Sequence, residues 1–153
     1  MMLKPISVPF EPIHLEMMRA RPMDRSFVDG QAAAAGGMER LAERLAEGRS
    51  IALLLGDRVL ALGGVQPVLP HVGEAWMFAA QGVGRYPIAL HKAACRLYDG
   101  VLDQGRVTRL QCLVPLAFPE AVRWIERLNF HREAVLKGIA PDGSDMAVYA
   151  RFA

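Results

Sequence analysis

The chain has 153 residues, 52% of them hydrophobic and 22% charged, with a formal net charge of +2. That length suits one domain, residues 1–153, with a core of its own, and the balance of apolar and charged residues excludes a disordered chain. The small net charge, with scattered arginines and no basic run interleaved with aromatics, speaks against a specific nucleic-acid partner.

Leu3 to Phe10 reads as an edge strand, because Pro5 and Pro9 cannot donate to a central ladder. Glu11 to Met18 follows as a short helix with Ile13, Met17 and Met18 turned inward. From Arg19 to Gly37 charges, Pro22, four alanines and a glycine pair follow no period. That predicts a mobile or partner-ordered segment with a short helix around the alanines. Met38 to Glu47 is an amphipathic helix with Met38, Leu41, Ala42 and Leu45 on its apolar face, ended by Gly48.

The runs after Ser50 and from Val59 flank Gly56-Asp57-Arg58 and predict a β-hairpin, with a bulge or close backbone approach at Gly63 and Gly64. Pro67 to Gly73 reads as a loop, and Glu74 to Ala79 as a strand. Gln81 to Tyr86 is a glycine loop that leads into a helix opened by Pro87. Backbone N–H groups and a helix N-terminus converging on one spot suit a phosphate, although an ordinary strand-to-helix turn has the same pattern. On that helix Ile88, His91, Cys95, Tyr98 and Leu102 form the expected inner stripe, and Gly105 ends it. Arg106 to Val114 is a strand, and a helix with Pro119 in its first turn turns Ala121, Val122, Ile125 and Leu128 inward. Asn129 fits a left-handed cap, and His131 to Ile139 with Asp145 to Phe152 make a final hairpin. The expected order is β-α-α-β-β-β-α-β-α-β-β.

Cys95 and Cys112 sit among apolar residues and read as buried thiols; His14, His71, His91 and His131 show no metal-ligand spacing with them, so no metal is expected. The N-terminus lacks a signal-peptide core, and the apolar region Ile51 to Val65 is broken by Gly56-Asp57-Arg58, so no membrane span is expected. A cytoplasmic protein is the expectation.

The element order, the glycine loop after the fourth strand and the closing WIERLNF…GIAPDGSDMAVYARF resemble the GCN5-related N-acetyltransferase (GNAT) superfamily. The resemblance implies an α/β fold whose mixed, mostly antiparallel central sheet, flanked by helices, splays between its fourth and fifth strands. It implies acetyl-CoA in that gap, its pantetheine paired with backbone groups of Met77, Phe78 and Ala79, and its phosphates on Gln81, Gly82, Val83, Gly84, Arg85 and Tyr86. Transfer to a small-molecule amine or a protein amino group would use Glu74 or His71 as base. The chain departs from the family pattern at Tyr86, where a small residue is expected, at Phe118, where an asparagine is common, and at Ile125, where a tyrosine commonly protonates the thiolate. Tyr98 and Tyr149 are the phenols left to act as acid. The chain also looks similar to short acetyltransferase-like proteins of tailed bacteriophages. That likeness implies a second class: a catalytically silent virion or assembly protein, oligomeric or partnered through residues 19–37 and located in a phage particle.

Overall fold

The computed structural model describes residues 2–153. Its elements are β1 (Ile6–Pro9), α1 (Pro12–Met17), α2 (Pro22–Ala35), α3 (Met38–Ala46), β2 (Arg49–Leu55), β3 (Arg58–Leu69), β4 (Val72–Ala79), a 3₁₀ turn (Val83–Arg85), α4 (Pro87–Asp103), β5 (Arg109–Pro115), α5 (Pro119–Arg127), β6 (His131–Leu136) and β7 (Met146–Phe152). The strands form one sheet in the order β1-β2-β3-β4-β5-β7-β6, antiparallel throughout except for the parallel pair β4 and β5. This is the mixed, mostly antiparallel α/β sheet that the sequence predicts.

Side chains alternate across the sheet, and the two faces are covered by different helices. On β4, Trp76 and Phe78 pack with α1, α2 and α3, around Leu15, Val28, Leu41 and Leu45. Ala75 faces α4 and α5 with Leu97, Tyr98, Ile125 and Leu128, and Ala79 faces α4 through Ala93. Gly64 on β3 makes the close approach expected there: a Cβ would lie 2.8 Å from the Arg49 carbonyl oxygen and 2.9 Å from the Trp76 indole nitrogen. The chain reversal at the end of α5 uses Asn129 at φ 66°, the left-handed cap read from the sequence.

The largest correction concerns residues 19–37, which hold not an unpatterned stretch with a short helix around the alanines but the 14-residue α2, packed on this chain's own sheet. Proline at its start costs no hydrogen bond. Asp24, Val28 and Ala32, at spacings of four, are its buried face, and Gly36 at φ 93° ends it with an N–H donated to the Ala32 and Ala33 carbonyls.

Smaller corrections have local causes. The loop over residues 67–73 shrinks to a turn at Pro70 and His71, because β3 runs on to Leu69 with Pro67 beside a register irregularity, where no ladder N–H is needed. On α4 the buried face is Ala93, Ala94, Leu97, Tyr98, Val101 and Leu102; Ile88 is exposed and His91 and Cys95 lie at the boundary. The alanines let the helix settle close to the sheet, where Leu97 lies 3.9 Å from where a Gly63 Cβ would stand. On α1 the buried residues are His14 and Leu15 rather than Ile13 and Met17, which are exposed, and the His14 Nδ1 accepts the Glu11 N–H at 3.0 Å.

Candidate active site

β4 and β5 pair at only three positions: Val72 with Arg109, Gly73 with Leu110 and Glu74 with Gln111. Beyond Glu74 they part. β4 stays on β3 as far as Ala79, and β5 stays on β7 as far as Pro115, so the sheet forks with Glu74 at its apex.

Backbone alternation fixes what β4 offers to the fork. Ala80 donates its N–H to the Leu60 carbonyl on β3, so Phe78, two residues back, also turns its polar groups to β3, whereas Met77 and Ala79 turn theirs into the fork. At Ala79 these groups are taken: its N–H donates to the Asp24 carboxylate at 3.2 Å and its carbonyl accepts the Arg21 N–H at 2.9 Å. Asp24 is buried and its second oxygen accepts from Arg21 Nε at 2.7 Å. The start of α2 is therefore clamped to the end of β4, and Met77 is left as the open strand edge.

The fork holds a cavity of about 390 Å³ that reaches both faces of the sheet. On the α2 face its walls are Met23, Phe27, Glu74, Trp76 and Phe78, with Gly30, Gln31 and Ala34 at the rim. On the α4 and α5 face they are Met77, Tyr98, Cys112, Ala121, Trp124 and Ile125. Glu74 has no hydrogen-bond or ion-pair partner among the described residues. Tyr98 is 3% exposed, its ring held edge-on against Phe130, and its phenol likewise has no hydrogen-bond partner among the described residues. Burial first, and the neighbouring Cys112 second, push the Tyr98 phenol well above its ordinary range, so it stays protonated. Burial, then the charge of Glu74, pushes the Cys112 thiol up to about 12. Tyr149 is committed elsewhere, donating to Glu126 at 3.0 Å and accepting from Arg132 Nε at 3.1 Å.

The glycine loop adjoins the open end of the fork but does not line the cavity. Its Gln81, Val83, Arg85 and Tyr86 N–H groups donate to the carbonyls of Arg19, Ala80, Gly82 and Val83. The N–H groups of Gly82 and Gly84 have no backbone partner among the described residues, and those of Ile88 and Ala89 belong to the first turn of α4, where no helical acceptor exists. A Cβ at Gly84 would meet nothing within 4 Å, and the Arg58 guanidinium lies 3.4 Å from the Cβ position at Gly82. Tyr86 packs its ring on the Leu53, Leu55 and Ala93 cluster under α4. His71, in the exposed turn before β4, is outside the cavity at the closed end of the fork. Of the two candidate bases, Glu74 alone lines it. Among the described residues no group of His, Cys, Asp and Glu could hold a metal, and no helix is long and apolar enough to cross a membrane.

Over 97% of its length the chain is similar in structure to 97% of Ard1 from Thermoplasma volcanium, at 12% identity and a TM-score of 0.74. It also matches, over 99% of its length, 98% of a GNAT-family acetyltransferase from Bacillus anthracis, at 14% identity and 0.68. The chain has the GNAT fold. A spermidine N-acetyltransferase from Vibrio cholerae shares that fold over 97% of this chain and 93% of its own, at 12% identity and 0.70. No protein-family model matches the sequence, and no curated protein matches it.

The α2 wall of this GNAT fork is what sequence reasoning missed. Its signal was present in Pro22 and in the spacing of Asp24, Val28 and Ala32, but exposed alanines and glycines diluted the apolar period.

Proposed function

We propose that the protein is an N-acetyltransferase that uses acetyl-CoA as donor and an amine as acceptor. The observation that carries this reading is the fork itself, with an unpartnered carboxylate on one face of a single cavity and an unpartnered phenol on the other. Acetyl-CoA, when bound, supplies an activated thioester: an N–C bond forms at the amine and the C–S bond breaks. Its fit rests on three features of this chain. The Met77 edge is open to pantetheine, the Gly82 and Gly84 N–H groups with Arg58 and Arg85 suit phosphates, and the space at Gly84 is free of side chains.

Glu74 takes the proton of the attacking amine, for which a carboxylate at the apex of the fork is suited. Tyr98, kept protonated, donates a hydrogen bond to the departing sulfur from the opposite face. The family's tyrosine position is Ile125, which lines the same cavity, so a phenol from α4 serves where the one from α5 is missing. Titration with acetyl-CoA by calorimetry tests the reading. Micromolar binding that disappears in Gly84→Trp supports it, and no binding at millimolar donor overturns it.

A second reading, a catalytically silent protein of this fold used in assembly, such as a tailed-phage virion component, is favoured by one observation. Four loop N–H groups and both polar groups of Ala79 are already paired within the chain. Retention of those pairs without donor binding in the same titration is the result this reading expects.

A further inference from the structure

We infer that the acceptor is a small primary amine on an apolar, aromatic-sized body, bound on the α2 face of the fork; this rests on the acetyltransferase reading. The charge pattern of the cavity carries the inference. Three charged side chains line it: Arg21, Asp24 and Glu74. The first two neutralise each other, and Asp24 is further held by the Ala79 N–H, so Glu74 is left as one negative charge at the apex. One carboxylate matches one ammonium. A polyamine would leave further cations in an apolar wall, and burying an unpaired charge is costly.

The rest of that face fits a flat apolar group. Met23, Phe27, Trp76 and Phe78 line it, and Ile139 and Pro141, from the turn between β6 and β7, join the cavity wall. Trp76 is held in place between Phe10, at 5.9 Å and 80°, and Phe78, at 5.5 Å and 43°. From Glu74 to Phe78 the strand advances about 13 Å. That length accommodates a two-carbon amine with one ring, and is short for several residues of peptide. The open rim at Gly30, Gln31 and Ala34 gives the entry: all three are exposed, and a Cβ at Gly30 meets nothing within 4 Å.

The test uses 2-phenylethylamine, spermidine and a C-terminally amidated tetrapeptide with uncharged side chains and a free N-terminus. Binding is followed by tryptophan fluorescence without donor, and turnover is followed with acetyl-CoA. Phenylethylamine is expected to quench the fluorescence and to give a kcat/KM at least tenfold above the other two. Gly30→Phe, at an exposed helix position, is expected to weaken phenylethylamine binding at least tenfold, with a melting temperature no lower than wild type and unchanged acetyl-CoA affinity. Equal or better use of spermidine or peptide, or amine binding unaffected by Gly30→Phe, overturns the inference while leaving the acetyltransferase reading in place. Failure to bind acetyl-CoA removes that reading instead, and the fluorescence titrations still decide whether this face takes an apolar amine.

Discussion

Replacing Asp24 tests how the acceptor wall is attached to the fork. Its carboxylate accepts the Ala79 N–H at 3.2 Å and Arg21 Nε at 2.7 Å from a buried position, so Asp24→Ala leaves a buried strand N–H without a partner. An unsatisfied buried donor costs about 1–3 kcal/mol. Arg21 is 31% exposed and solvent screens the loss of its partner, which adds only about 0.5–1 kcal/mol. The expected loss is about 3 kcal/mol, a fall in melting temperature of about 9 °C for a chain of this length. Asp24→Asn keeps one acceptor oxygen for the Ala79 N–H but turns an NH2 group toward Arg21 and so loses that ion pair and its hydrogen bond, with an expected cost of about 1 kcal/mol. Thermal melts followed by circular dichroism read both variants. If Asp24→Ala melts within 1 °C of wild type, or if the two variants are equally destabilised, the clamp between α2 and β4 is not what holds this wall.

Two glycines are expected to respond in opposite directions. A Cβ at Gly48 would lie 1.9 Å from the Val65 carbonyl oxygen, so Gly48→Ala forces backbone apart and should cost about 3 kcal/mol in urea unfolding. Gly30 lies inside α2 with no atom within 4 Å of its Cβ position, so Gly30→Ala should gain about 1 kcal/mol from helix propensity. Cys112, with its thiol pushed up to about 12, is protonated in both the folded and unfolded chain below about pH 9. Above that, the unfolded chain releases the proton and the folded chain retains it, so stability falls as pH rises from about 9 toward 12. Urea midpoints at pH 7.5 and 10 should drop further for wild type than for Cys112→Ala. At pH 8 iodoacetamide should label the boundary residue Cys95 well before Cys112.

The hairpins and the helix after Pro87 were legible because strong local signals agreed with tertiary burial, whereas the fork of the sheet was expected only from the resemblance to the GNAT superfamily. Glycine and proline marked the turns, and apolar periods marked β2, β4 and α3. α2 was not legible: six of its 14 residues are alanine, glycine or serine beside charges, and it is fixed by one buried carboxylate reaching a strand 55 positions away, a contact no local window contains. The inner face of α4 was displaced for a related reason. Alanines 93 and 94 carry little hydrophobic weight, yet their small size is what brings the helix onto the sheet. At the site, Glu74 stood out as a carboxylate opening an apolar strand. Tyr98 could be named as a phenol on a helix, but the empty hydrogen-bonding position that gives it a role exists only in three dimensions.

The most direct test of the acetyltransferase account is thiol release from acetyl-CoA, measured with and without 2-phenylethylamine, for wild type and Glu74→Gln. The account predicts release that depends on the amine and falls at least a hundredfold in Glu74→Gln while acetyl-CoA affinity is unchanged. Amine-dependent release that is the same in both proteins would contradict the role of Glu74, and no amine-dependent release with any acceptor would contradict the account itself.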